Sequence, residues 1–501
     1  MKIGHIFSIL FLMTILTACT NNTIINYNAE GYETSDEKGL LKVKNSESIE
    51  LSNGTIYNIR AEKIIKNING QDFVMYGYNG EIPGPLLKVK QGSTIRINFT
   101  NNLDKNTTIH WHGLRHNYKD DGVPGVSQDP VKPGESFIYT LYFPDEGIFW
   151  YHPHIREDAQ QSLGLYGNIF VEPINNKYNK VDKEEFLMIS DILIEDDKIV
   201  PYGVDTANYA LMGRFGNIML VNGLTNYSLI VNKGDTVRFY LTVSSNVRPF
   251  NISFENMSIK LIGSDIGRYE KEIITDNIII GPAERYIAEV TFNKEGVYNL
   301  RNINIFNQYT LGKIIVNPNN KNISISEIHD NQDVILDISK YQKYFDTPVD
   351  VQINLGIELN NASEEMHSIE NIEWEDLMGE VNARVNSNMI EWYIEDARTK
   401  KRNSNLTYEF KKGSVKKILF VNSRDSEHPM QHMIHLHGQR FLVLEDNGVK
   451  NENLVWKDTF LIRTGSNVTI LLDNSNPGEW MFHCHIAEHL ESGMMSMFKV
   501  E

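Results

Sequence analysis

Along this chain apolar and polar residues alternate in short runs bounded by Gly, Asn or Pro, and no long segment carries the 3.6-residue period of a helix. The run Gly92-Ser93-Thr94-Ile95-Arg96-Ile97-Asn98-Phe99 puts Ile95, Ile97 and Phe99 on one face of a strand. Gly234-Asp235-Thr236-Val237-Arg238-Phe239-Tyr240-Leu241 repeats the pattern, and Gly413-Ser414-Val415-Lys416-Lys417-Ile418-Leu419-Phe420 repeats it more loosely. A second unit follows each: Pro133-Gly134-Glu135-Ser136-Phe137, Gly281-Pro282-Ala283-Glu284-Arg285-Tyr286, and Thr464-Gly465-Ser466-Asn467-Val468. A third then appears as Gly147-Ile148-Phe149-Trp150-Tyr151, Gly296-Val297-Tyr298-Asn299-Leu300 and Gly478-Glu479-Trp480-Met481-Phe482. Three copies in one order predict an all-β protein of three homologous β-sandwich domains. Asn- and Lys-rich interruptions set the boundaries at 48–177, 178–322 and 323–501.

The N-terminus follows a different pattern. Lys2, an apolar run from Ile6 to Leu16, and Leu16-Thr17-Ala18-Cys19 read as a signal peptide over residues 1–18. Its ending resembles a bacterial lipobox, which implies lipidation of Cys19. Residues 19–47, rich in Asn, Ser, Glu and Lys, read as a flexible tether. The expectation is an exported, membrane-anchored lipoprotein, periplasmic or on the cell surface, that meets the membrane only through that lipid.

Composition narrows the classes. Of 501 residues, 41% are hydrophobic and 23% charged, the balance of a globular protein with sizeable cores. Lys and Arg total 48 against 65 Asp and Glu, a net charge of −17 with no basic stripe, so nucleic acid is not an expected partner. Two cysteines exclude a disulfide framework, and with Cys19 lipidated Cys484 is the one free thiol.

Histidine carries the chemistry. The third unit has His152, Arg301 and His483 five residues after its glycine, and His154, Ile303 and His485 seven after it. The middle domain therefore has the repeat without the imidazoles. Four clusters stand out: His110-Trp111-His112, His152-Pro153-His154, His432-Met433-Ile434-His435-Leu436-His437, and His483-Cys484-His485 with His489 and Met494. On a strand, residues i and i+2 share a face, so each His-x-His pair presents two imidazoles together. Cys484 points the other way, so one strand can serve two metal centres. A thiolate, two imidazoles and a long axial Met make a trigonal blue-copper site. Cys484, His489 and Met494 supply three of those ligands, and His432 can supply the second imidazole.

From about residue 50 onward the chain resembles a three-domain bacterial multicopper oxidase of the laccase and cuprous-oxidase group, most specifically over Trp480–His489 and Gly493-Met494-Met495. The resemblance implies three cupredoxin-like Greek-key β-sandwiches and four copper ions per chain. It implies type 1 copper on His432, Cys484, His489 and Met494, and type 2 copper on His110 and His435. The type 3 pair would lie on His112, His152, His154, His437, His483 and His485. Asp121 and Glu488 match the family's acidic residues that deliver protons for the reduction of O2 to water, and Cys484 carries the electrons.

One departure concerns His428-Pro429, because many members have His-Pro at the type 1 histidine. Spacing selects His432, three residues before His435, with Met433 where Pro is usual. The reducing substrate is less legible. Met430 occupies a position where cuprous oxidases carry a methionine, and His428 one where they carry Asp. The segment 358–395, with Met366, His367, Met378 and Met389, could cover the type 1 site. Oxidation of Cu(I) or another metal ion in copper tolerance is favoured over laccase-like oxidation of phenols or aromatic amines. A copper-free scaffold of the same fold, a copper store and a copper nitrite reductase are disfavoured by the intact ligand set.

Overall fold

The computed structural model describes residues 39–175, 177–321, 327–359 and 372–501; Cys19 and the signal peptide lie outside them. Strands dominate, arranged chiefly as three pairs of sheets. In the first pair, a four-stranded sheet (Gln71–Tyr78, Ile56–Ile68, Thr94–Asn101, Ser136–Tyr142) faces a five-stranded one. The latter runs Ser48–Leu51, Leu86–Lys90, Gly167–Glu172, Gly147–His152, His110–His112. Ile59, Ile97 and Tyr139 of one sheet pack with Leu87, Phe149 and Val171 of the other. The same arrangement recurs in the middle, where Val237, Phe239 and Ala288 meet Ile252, Leu300 and Ile314. In the last pair Ile353, Phe420 and Ile470 meet Ile434, Phe482 and Phe498.

The repeat seen in the sequence is a repeat of topology. Each Gly-led alternating run, Thr94–Asn101, Thr236–Val243 and Ser414–Asn422, pairs in parallel with an upstream strand. Each then pairs antiparallel with the strand of the second unit. The third-unit glycines Gly147, Gly296 and Gly478 adopt φ of +142°, +143° and +149°, a conformation that excludes most side chains. Each opens a strand: Gly147–His152, Gly296–Ile303 and Gly478–Cys484.

First and last units share a core, because Leu442, Trp456 and Leu471 join the cluster built around Tyr78, Trp111 and Tyr139. That junction positions the histidine-bearing strands. Of the segment 19–47 expected as a flexible tether, only residues from 39 onward are described, and these are held on the first sandwich. Val43 N–H bonds Ile65 O and Lys44 N–H bonds Gly80 O, each at 2.8 Å, so the chain is fixed to the first sandwich by residue 43. These residues find backbone partners at a sheet edge that composition does not announce. Among the described residues no helix is long and apolar enough to cross a membrane.

Candidate metal centre

The strand Gly478–Cys484 divides the site in two. On one face, the fully buried Cys484 Sγ lies 3.7 Å from His432 Nδ1 and 3.8 Å from His489 Nδ1. His432 comes from the neighbouring strand His432–Leu436, and His489 from the short helix Ala487–Glu491. Met494 is buried in the same cluster. His428 is elsewhere: its Nε2 lies 3.0 Å from Met212 Sδ of the middle unit. The structure thus puts His432, not His428, beside the thiol. Burial pushes the Cys484 thiol up to about 12 and His432 down to about 3. Both shifts follow from desolvating the charged form.

On the other face eight imidazoles converge. His110 sits directly opposite His152 across the sheet of the first sandwich, and His435 opposite His483 in the last. The His112 and His435 rings, from different sandwiches, stack at 3.7 Å. His110, His435 and His437 bring their nitrogens within 4.8 Å of one another, as do His154, His437 and His483. Burial, reinforced by neighbouring imidazoles, holds His112, His152, His154, His435 and His483 well below the ordinary histidine range. These five imidazoles are neutral bases.

Which nitrogen is free follows from what holds the other. His110 Nδ1 lies 2.8 Å from Asp121 O, His435 Nδ1 2.8 Å from Asp458 O, and His483 Nδ1 2.9 Å from Cys484 O. A carbonyl only accepts, so each Nδ1 carries the proton and each Nε2 a lone pair. Likewise His152 Nδ1 donates to Pro153 O at 2.8 Å, and His437 Nδ1 to Asp121 Oδ2 at 2.8 Å. The inward nitrogens His110 Nε2, His112 Nδ1, His154 Nε2 and His435 Nε2 are buried with no hydrogen-bond partner. His437 Nε2 and His483 Nε2, both acceptors, face each other at 3.0 Å. Two lone pairs at that distance repel unless a cation lies between them, so the donor set fits metal.

The two carboxylates expected to handle protons differ. Asp121 is opposed by burial, but His437 and His110 beside it hold its carboxyl well below the usual range. It is an anion that orients His437, with the buried His116 at 3.4 Å from its Oδ1. Glu488 is fully buried and pushed up to about 7 by desolvation, with Asn246 Nδ2 donating to its Oε1 at 2.8 Å. Glu488 therefore populates both protonation states near neutrality.

Several residues here were not singled out in the sequence. Glu157 Oε1 approaches His154 Nδ1 at 3.3 Å; a carboxylate three residues after a histidine was the available signal. Asp458 and Thr459 contact His112 Nε2 at 3.0 and 2.9 Å, brought in by the strand Thr459–Ile462, which no local pattern marks. Trp392 stacks over His489 at 4.0 Å and donates from Nε1 to Ala210 O. Part of the segment 358–395 lies at the thiol site through Trp392, and Met378 and Met389 pack against the hydrophobic core that also contains Cys484 and Met494. Middle-unit residues complete the cover, with Ala210 N–H bonded to Val385 O and Asn382 Nδ2 to Gly213 O. Met366 and His367 lie outside the described residues. Met430 and His428, expected to touch substrate, are both buried, Met430 completely, so neither meets solvent beneath this cover.

Comparison with known proteins decides the family. Three sequence models described as multicopper oxidase match residues 61–176, 174–324 and 377–501. The multicopper oxidase mco of Staphylococcus epidermidis is 30% identical over 436 residues, covering 85% of this chain and 83% of that protein. The chain belongs to the multicopper oxidase family. Among solved structures, a multicopper oxidase from Pseudomonas thermotolerans is similar with a TM-score of 0.69 and 25% identity, covering 91% of this chain and all of that one. A Campylobacter jejuni multicopper oxidase described as a metallo-oxidase has the same fold, with a TM-score of 0.68 at 23% identity over 92% of this chain and 98% of that one. This multicopper oxidase is accordingly an oxidoreductase whose cofactor is copper and whose partners are O2 and a reducing substrate.

Proposed function

We propose that this multicopper oxidase holds four copper ions, oxidises a metal ion, Cu(I) foremost, in copper tolerance, and reduces O2 to water. Type 1 copper is assigned to His432, Cys484, His489 and Met494, type 2 to His110 and His435. The type 3 pair is assigned to His112, His152, His154, His437, His483 and His485. The observation that carries the metal assignment is the facing pair of acceptor nitrogens on His437 and His483. Copper supplies the one-electron redox chemistry that joins four substrate oxidations to the four-electron reduction of O2. The chain's residues supply the rest. Cys484 and its flanking histidines keep the two ligand sets one residue of backbone apart. Glu488, poised near neutrality, delivers protons to the oxygen-reducing side, four being consumed per O2. Asp121 holds His110 and His437 in the tautomers that leave Nε2 free.

The metal-ion reading is supported by the cover over the thiol site. His432 and His489 are 1% and 0% exposed, and Trp392 lies flat over His489, leaving no open edge for a planar phenol among the described residues. Soft donors line that cover instead, with Met212 Sδ beside His428 Nε2, and thioether and imidazole suit Cu(I). Oxygen uptake by the copper-loaded enzyme should be faster with Cu(I) than with a simple phenol, and slower with Cu(I) in Met212→Leu. Faster uptake with the phenol, indifferent to Met212, would make the enzyme laccase-like. The N-terminal segment supports export and lipid anchoring at Cys19, which loss of membrane association in Cys19→Ala would test.

A further inference from the structure

The middle sandwich has no copper ligand, yet one of its side chains reaches the oxygen-reducing histidines at one remove. Arg285, at the start of the strand Arg285–Thr291, is fully buried where the three sandwiches meet. Its Nε donates to Ile148 O of the first sandwich at 2.9 Å. Its Nη1 and Nη2 grip Asp458 of the last sandwich, at 2.6 Å to Oδ1 and 2.5 Å to Oδ2. A forked, two-point contact fixes the plane of a carboxylate as a single point charge does not. Asp265, also from the middle sandwich, steadies the arginine by accepting its backbone N–H at 2.9 Å.

Asp458 in turn holds one histidine from each outer sandwich. Its Oδ1 lies 3.0 Å from His112 Nε2, and its backbone carbonyl 2.8 Å from His435 Nδ1. Thr459 Oγ1 donates to Asp458 Oδ1 at 2.8 Å, so it also accepts rather than competes at His112 Nε2. His112 is thereby protonated on Nε2 and His435 on Nδ1. The nitrogens left free, His112 Nδ1 and His435 Nε2, are the two buried atoms of these stacked rings that lack a partner. A one-proton change at either ring would turn its free nitrogen away from ligation.

We propose that Arg285 is a positioning residue for the oxygen-reducing site: through Asp458 it sets the tautomers and spacing of His112 and His435. The inference rests on the assignment of those histidines as copper ligands. It gives the ligand-free domain a task in the chemistry beyond packing.

The test compares Arg285→Met, Arg285→Lys and Asp458→Asn with the wild-type holoenzyme, reading copper affinity by chelator competition, the type 2 electron paramagnetic resonance signal and the blue absorption. Arg285→Met and Asp458→Asn should weaken copper at the histidine cluster ~10–100-fold, the range for an outer partner of a ligating histidine. Both should alter the type 2 signal while the blue absorption of the Cys484 site is kept. Arg285→Lys should recover affinity but not the wild-type type 2 signal. An unaltered type 2 signal with wild-type affinity in Arg285→Met or Asp458→Asn overturns the proposal. Wild-type protein with a blue site but no copper at the histidine cluster would instead sink the ligand assignment itself. Independently of folding in the variants, nitrogen NMR of the copper-free wild type should find His112 protonated on Nε2 and His435 on Nδ1; the opposite tautomers overturn the proposal.

Discussion

The two faces of the strand Gly478–Cys484 differ in where their ligands come from. Cys484, His432, His489 and Met494 all belong to one sandwich, and the middle unit adds only cover, through residues such as Ala210 and Met212. The eight-histidine set draws His110, His112, His152 and His154 from the first sandwich and the rest from the last. The middle copy sharpens the contrast. Its strand Gly296–Ile303 starts from the same glycine conformation, but Arg301 sits where His152 and His483 stand and pairs with a partly exposed Glu255. A shared fold position becomes a site only where it faces another repeat.

The largest effects should separate the faces. Cys484→Ser should abolish the blue absorption and the oxidation of every reducing substrate. His437→Ala should abolish oxygen uptake yet leave the blue absorption, measured on the same sample. If His437→Ala also removed the blue absorption from folded protein, the faces would not be independent. Glu488→Gln should slow oxygen reduction by about 10²-fold with the blue absorption intact, the contribution usual for a positioned proton donor; stopped-flow reoxidation of the reduced enzyme reads it. Met212→Leu should raise KM for Cu(I) about tenfold, equivalent to about 1.4 kcal/mol of binding, with little change for a phenol.

A further effect is on stability. Because the carboxyl of Glu488 is raised in the folded state from 4.5 to about 7, its contribution is present below about 4.5 and lost as pH rises through about 7. Glu488→Gln removes that loss. Its unfolding midpoint relative to wild type should therefore climb between pH 5 and pH 8, by at most about 3 kcal/mol in stability. A flat difference would mean the carboxyl is not desolvated as the structure has it.

Much of this was legible because the repeat is written in local residues. The alternating runs and the glycines at 147, 296 and 478 mark strands whose register the structure keeps, and His-x-His spacing places imidazoles on one face without further information. What the sequence could not announce came from strands distant in the chain. Asp458 reaches His112 across 346 positions, and near the thiol site Trp392 meets Ala210 and His428 meets Met212 from different sandwiches. Met430 illustrates the limit: its position relative to His432 was readable, but its complete burial depends on a cover built partly by the middle repeat.

Counting copper in wild type and Cys484→Ser, alongside the type 2 resonance, tests most directly whether one strand serves two metal sites. The wild type should carry four copper ions per chain and the variant three, with the type 2 signal unchanged. A folded variant that keeps the fourth ion, or loses the histidine-bound copper together with the blue site, would contradict the division of the two faces.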